Sequence, residues 1–346
     1  MQDVANLFRS CLPSLETSKV RVKVALKSFV DANDNPSTSS NYTSSEEDPV
    51  EVYLDMLQHG VVRRDATWML LLFRALKILS RKKENRIRFG PAGLRGVVSA
   101  LVNPHNNRVA AEGSNVLLNV CYEIDNVEAL LETPGVQQLL LFLMEDDEEL
   151  QANAAGAIQS ICFQEDGRRH VHQKGGIAVL AGLLTSPNAK VVTRAVGAMH
   201  NLSSYAEAIR DIRASGSIPT LVALLHNGML PISGSAAGAL QNVSREVASR
   251  LIIRELDAVP PLARLLSAPD VQAQVCASGA LLNIVGPDLD QREREQRQLL
   301  FSSSRRRPGQ RRALGRLMAL CMAAGAIYDC LFEEPPPLAP QAEAGS

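Results

Sequence analysis

Aromatic residues are scarce in this 346-residue chain, 4% of the total with a single Trp. Sandwiches and barrels of β-strands lean on aromatic and β-branched side chains, whereas Ala and Leu, abundant here, are better helix formers. The shortage points to an all-α protein. Net charge is also nearly absent, −1 overall, so no global field favours nucleic acid or a charged membrane surface. The six cysteines (Cys11, Cys121, Cys162, Cys276, Cys321 and Cys330) form no CxxC pair and no dense framework. They read as reduced, mostly buried thiols of an intracellular protein. No apolar run approaches the ~20 residues that span a bilayer, and polar residues follow Met1 where a secretory apolar core would lie. The expected compartment is the cytoplasm, with the nucleus as the alternative.

Motifs that carry chemistry are missing too. There is no phosphate loop, no GxSxG, no zinc spacing and no pair of carboxylates in catalytic order. His170 and His172 lack a third ligand at useful spacing, and Arg168 and Arg169 beside them disfavour a cation. Asn41, Asn201 and Asn242 open glycosylation tripeptides, but two of these lie inside a repeat and nothing in the sequence exports the chain. The expectation is a protein that is not an enzyme and uses no cofactor or metal.

What the sequence does have is repetition. Asn119, Ser160, Asn201, Asn242 and Asn283 are successive members of one column, each 41 residues after the last. Four residues before them stand Asn115, Gly156, Gly197, Gly238 and Gly279; six before, Gly113, Ala154, Ala195, Ala236 and Ala277. A second block keeps the same period, with Val136, Ile177, Ile218 and Val259, then Leu139, Leu180, Leu221 and Leu262, then Leu143, Leu184, Leu225 and Leu266. Cys121 and Cys162 are likewise one period apart, as core positions and not nucleophiles. An additional copy precedes these, carried by Ala75–Leu79 and by Gly93 through Leu101, one residue out of step, which calls for a single-residue insertion.

Each unit parses into three helical pieces. Residues 205–214 lead to a turn at Gly216, and 218–225 place Ile218, Leu221, Leu224 and Leu225 on one face. A turn follows, such as Ser186-Pro187-Asn188, and then an Ala/Gly-rich helix that ends in the Asn column. A unit of this size cannot bury both faces of its helices alone, so its neighbours must cover them. The acidic run 145–149 falls before such a third helix, where it suits the helix N-terminus; a basic partner is the alternative.

The pattern Gly-x-Ile-x-x-Leu-x-x-Leu-Leu, followed by Ala-x-Gly-Ala-Leu-x-Asn-Leu, resembles the armadillo repeat family over residues 66–286. The resemblance implies a right-handed α-solenoid of three-helix repeats that serves as a non-enzymatic protein-interaction scaffold. It also implies that the third helices line a concave groove, where an Asn ladder of Asn119, Asn201, Asn242 and Asn283 holds an extended partner segment. An amide offers both a donor and an acceptor to a peptide backbone. A purely structural role, bonding a neighbouring loop or cap, stands beside that reading. Ser160 interrupts the ladder. Nuclear-import adaptors of this fold carry Trp where this chain has its Gly column, so import cargo is not the expected ligand. Lys190 and Arg194 precede Asn201 on the same helix and could draw an acidic segment, or be ordinary solvated residues. Alternative functions are regulation of a GTP-binding protein by promoting exchange, and a structural part in a cytoskeletal or ciliary assembly.

The ends depart from the pattern. Residues 1–65 are expected to form capping helices around a polar loop at 31–49, and 287–334 an interrupted repeat. The interruption, 291–312, holds Arg305-Arg306-Arg307, Arg311 and Arg312, which suit a localisation signal, a phosphorylation site or a solvated insertion. The proline-rich tail from 335 reads as disordered.

Overall fold

The computed structural model describes residues 2–35 and 49–285, and every regular element among them is a helix. The chain opens with α1 (Gln2–Cys11), a 3-10 turn (Leu12–Ser14) and α2 (Leu15–Asn33). After the undescribed stretch come α3 (Val50–Gln58), α4 (Gly60–Arg63) and α5 (Ala66–Leu79). Five sets of three then follow. The first is α6 (Lys83–Ile87), α7 (Gly90–Val102) and α8 (Asn107–Val120); the second is α9 (Ile124–Leu131), α10 (Gly135–Phe142) and α11 (Glu148–Ile161). The third is α12 (Glu165–Gln173), α13 (Gly176–Leu183) and α14 (Ala189–Ser203); the fourth is α15 (Ala206–Ala214), α16 (Ser217–Leu224) and α17 (Leu230–Val243). The last is α18 (Val247–Glu255), α19 (Val259–Leu265) and α20 (Val271–Val285).

The third helices stack in chain order, α5 on α8, α8 on α11, and so on to α20, with α2 extending the row beyond α5. The small-residue columns account for that closeness. A Cβ built on Gly156 would lie 2.3 Å from the side chain of Leu118, and one on Gly238 2.3 Å from the ring of His200. The second-block leucines fill the space beneath: Leu139, Leu180, Leu221 and Leu262 are each fully buried. A side chain of that size buried from water stabilises the fold by roughly 1.5–3 kcal/mol.

Caps set where the third helices begin. Asp65, Asn106, Asp147, Asn188 and Asp270 occupy one column, and each accepts a hydrogen bond from a backbone N–H of the first turn at 2.8–3.0 Å. Each satisfies a donor that the helix itself cannot. Position 229 of that column is Met, with no acceptor; α17 instead has a Pro in its first turn. Asp147 belongs to the acidic run, which thus sits at a helix N-terminus, with Glu148 accepting from Asn188 of the next repeat at 2.8 Å.

The shift in the first unit resolves into two compensating changes. From Leu79 to Leu94 there are 15 residues where Val120 to Val136 has 16, and α6 is correspondingly short. From Leu101 to Asn106 there are five where Leu143 to Asp147 has four. The extra residue thus lies in the α7–α8 turn, and the caps of α5 and α8 stay 41 apart.

Turns between first and second helices use the left-handed region at Gly175 (φ 78°), Gly216 (φ 72°) and Asp257 (φ 53°), again one column. No helix among the described residues is long and apolar enough to cross a membrane. The basic insertion, the interrupted repeat and the tail lie outside the described residues.

Candidate functional site

The Asn column lies near the C-terminal ends of the third helices, and each of its amides is half-buried. Each Nδ2 donates to the end of the preceding third helix. Asn119 reaches the Ser80 hydroxyl (3.0 Å) and the Lys77 carbonyl (3.4 Å); Asn201 reaches the Gln159 carbonyl (2.9 Å). Asn242 reaches the Ser203 hydroxyl (3.0 Å), and Asn283 both the Gln241 carbonyl (3.0 Å) and the Ser244 hydroxyl (3.1 Å). The ladder therefore links repeat to repeat with its donors. Each amide keeps its acceptor Oδ1, which at Asn242 receives a long bond from Arg245 (3.4 Å), and Asn201 and Asn242 bond with Nδ2 once where Asn119 and Asn283 bond twice. Ser160, in the gap, is buried.

The sequence reading missed the partner of this ladder. Ser80, Ser203 and Ser244 form a column with Cys121 and Cys162, and each serine hydroxyl donates to the carbonyl three residues back while accepting from the next Asn. Asn201, whose counterpart is Cys162, bonds only the carbonyl. The common period was the signal that could have found it. Both cysteines are fully buried; burial raises the thiol pKa of Cys121 to about 12 and pushes that of Cys162 higher still. Such thiols stay protonated and are poor nucleophiles.

The Gly column is occupied from the neighbouring repeat. Leu118 lies over Gly156, Gln159 over Gly197, His200 over Gly238 and Gln241 over Gly279, with built Cβ atoms meeting them at 2.2–2.4 Å. A bulky residue in that column would displace these side chains. Burial lowers the pKa of His200 below the ordinary histidine value, so its ring is neutral at pH 7. Arg194 crosses Gly156 to approach the Gln159 side-chain oxygen (3.4 Å), and Lys190 is exposed on the first turn of α14. Among the sequence-predicted cations, Arg194 thus borders the ladder, while Lys190 lies three turns from Asn201.

At its N-terminal end the third-helix face carries an ion cluster. Arg74 pairs with Asp34; Lys77 contacts Asp34 (3.3 Å) and Glu112 (2.9 Å), and Arg81 donates to the carbonyls of Asn33 (2.8 Å) and Asp34 (2.7 Å). Along the first helices, a cleft of about 510 Å³ is lined by His172, Glu207, Arg210, Asp211, Arg245 and Glu246, with His172 bonded to Asp211 at 2.7 Å.

Residues 124–163 and 165–204 match the Armadillo/beta-catenin-like repeat family. The chain carries armadillo repeats. The two matched segments are the sets α9–α11 and α12–α14. Among solved structures the chain is similar to an engineered protein at 27% identity, TM-score 0.63, covering 69% of this chain and 97% of the other. It is similar in fold to a designed armadillo repeat protein at 22% identity (TM-score 0.61; 67% and 98% covered). Another such design, in complex with the peptide (KR)4, matches at 21% identity (TM-score 0.60; 68% and 100%). No curated protein matches the chain. The architecture is a right-handed armadillo solenoid, a scaffold built of repeats.

Proposed function

We propose that the protein is a non-enzymatic interaction scaffold and that its third-helix face holds an extended segment of a partner protein along Asn119, Asn201, Asn242 and Asn283. The single observation that carries this reading is the orientation of the ladder: bonds to the preceding repeat fix each amide, and the Oδ1 remains to accept a backbone N–H. Helix layers about 8–10 Å apart fit two to three extended residues per repeat. One acceptor per Asn-bearing repeat then meets one peptide N–H without reading the partner's sequence. A peptide-bound design of the same fold supports the mode of use.

The test is the double variant Asn201→Ala with Asn242→Ala, compared with Ser203→Ala. Every lost inter-repeat bond costs about 1 kcal/mol, so both proteins melt slightly below wild type. Affinity capture followed by mass spectrometry is expected to lose its partners with the double Asn variant and to keep them with Ser203→Ala, which leaves Oδ1 in place. Capture that survives in the double variant rules the ladder out.

A further inference from the structure

Beside the ladder the chain exposes two large rings. Tyr122 and Phe163 stand three residues after Asn119 and Ser160, in a column where other repeats carry Arg81, Ser204 and Arg245. They are 50% and 54% exposed, with ring centroids 6.1 Å apart. Arg86 lies over the outer ring at 5.9 Å from the Tyr122 centroid. A pair of aromatic rings left open to water marks a contact surface more often than a lone exposed residue does. This pair sits in the turns that follow α8 and α11, the two helices that meet at the ladder's gap.

On the other side of the ladder the nearest cation is Arg194, reaching Gln159 across Gly156. Gln159 stands on the last turn of α11, and Phe163 follows four residues later in the turn after that helix. The other charges of this face are committed: Glu112 to Lys77 and Arg74, and Glu123 to Arg86. Lys190 shares its column with Glu149, of opposite sign. Asp125 and Glu165, exposed just past the rings, disfavour a carboxylate on the aromatic side.

An extended segment sends successive side chains to opposite sides, and its residues i and i+2 are about 6.6 Å apart. That repeat matches the 6.1 Å between the two rings. Laid along the ladder, such a segment offers one side chain to each ring and turns the residue between them toward Arg194. Resting on the ladder reading above, we infer that the groove takes a partner segment with large apolar residues at i and i+2 and Asp or Glu at i+1. The apolar pair makes up at Tyr122 and Phe163 for the acceptor that Ser160 does not supply.

Selection from a random dodecapeptide phage library on the full chain tests this. Peptides whose binding weakens about tenfold or more when Asn201 and Asn242 are changed to Ala, the loss expected of a few central contacts, are the groove ligands. They are expected to show the apolar–acidic–apolar pattern. With Tyr122→Ser and Phe163→Ser together the apolar enrichment should vanish, and with Arg194→Glu the acidic position should turn to Lys or Arg. Unchanged circular dichroism shows that each variant is folded. Ladder-dependent peptides without the pattern, or with a pattern that both variants leave intact, overturn the inference and leave the ladder standing. If no recovered peptide depends on the two Asn residues, the ladder reading falls and the inference with it.

Discussion

Between α2 and α5 the chain buries bulky side chains, Trp68, Phe73, Leu26 and Leu72, and ties the helices with Lys23–Asp65 and the cluster of Asp34, Arg74 and Lys77. Between α11 and α17 the stacked surfaces are Ala154, Ala195 and Ala236 with Gly156, Gly197 and Gly238, and the cross-links are Asn amides. The difference follows from position in the stack. An interior repeat has an equal neighbour on both sides, so small residues suffice: close approach gives the contact and the neighbour supplies the volume. The first layer must hold a dissimilar helix, α2, and does so with larger apolar groups and with charges that close its outer side.

The largest expected effect that would break this contrast is at the single Trp. Trp68→Ala removes a fully buried indole and should cost about 3–5 kcal/mol, read as a lowered denaturation midpoint. Its indole N–H has no hydrogen-bond partner, so Trp68→Phe should recover most of that loss. A Phe variant as unstable as the Ala variant would show that the first layer does not rest on apolar bulk.

A smaller effect separates two kinds of close approach in the central repeats. A Cβ on Gly167 would lie 2.0 Å from the backbone carbonyl oxygen of Ile161, which cannot swing away. Gly167→Ala should therefore destabilise by about 1–3 kcal/mol. Gly238→Ala meets only the ring of His200, which can rotate outward, and the better helix propensity of Ala offsets about 0.5–1 kcal/mol. Thermal melts of the two variants should differ in that order; equal losses would mean that the Gly column is as rigid as the backbone contact.

The smallest effect is in acid. Burial works against the charged forms of Asp34 and Asp65, but Arg74 and Lys77 beside the first, and Lys23 with backbone N–H groups beside the second, outweigh it and hold both below the ordinary value of 3.8. A carboxyl lowered on folding contributes stability that is present above its unfolded pKa and is lost as pH falls through the folded one. Trp68, capped by Asp65, is the only indole in the chain. Its fluorescence should change as the pH is lowered beneath about 4, before circular dichroism reports loss of the central helices. Glu246, held down by its bond to Arg213, adds a similar but separate dependence near α18. Simultaneous transitions in both signals would erase the distinction between the two regions.

Much of this architecture was legible because one period of 41 runs through several columns at once. Asn201, Gly197 and Ala195 announce a third helix, and Ile218 with Leu221 and Leu225 a second, since stacked repeats place equivalent residues in equivalent surroundings. The first unit was harder to read: its shortened α6 and lengthened α7–α8 turn cancel, so the one-residue shift looked like a lone insertion. In the candidate site the Asn residues could be named, but their donors could not be assigned. Whether an amide faces a ligand or a neighbouring carbonyl depends on how two repeats are set against each other.

By itself the sequence determined the helical class, the repeat and its register, because helical spacing of apolar and small residues is a local property of the chain. Tertiary structure alone decided that the Asn amides donate to Gln159, Ser203 and their equivalents, and that Leu118 and His200 cover the Gly column. It likewise decided that Tyr122 and Phe163 meet beside the gap at Ser160. Each of these contacts joins residues about 40 positions apart, and such pairs come together only when one repeat closes on the next.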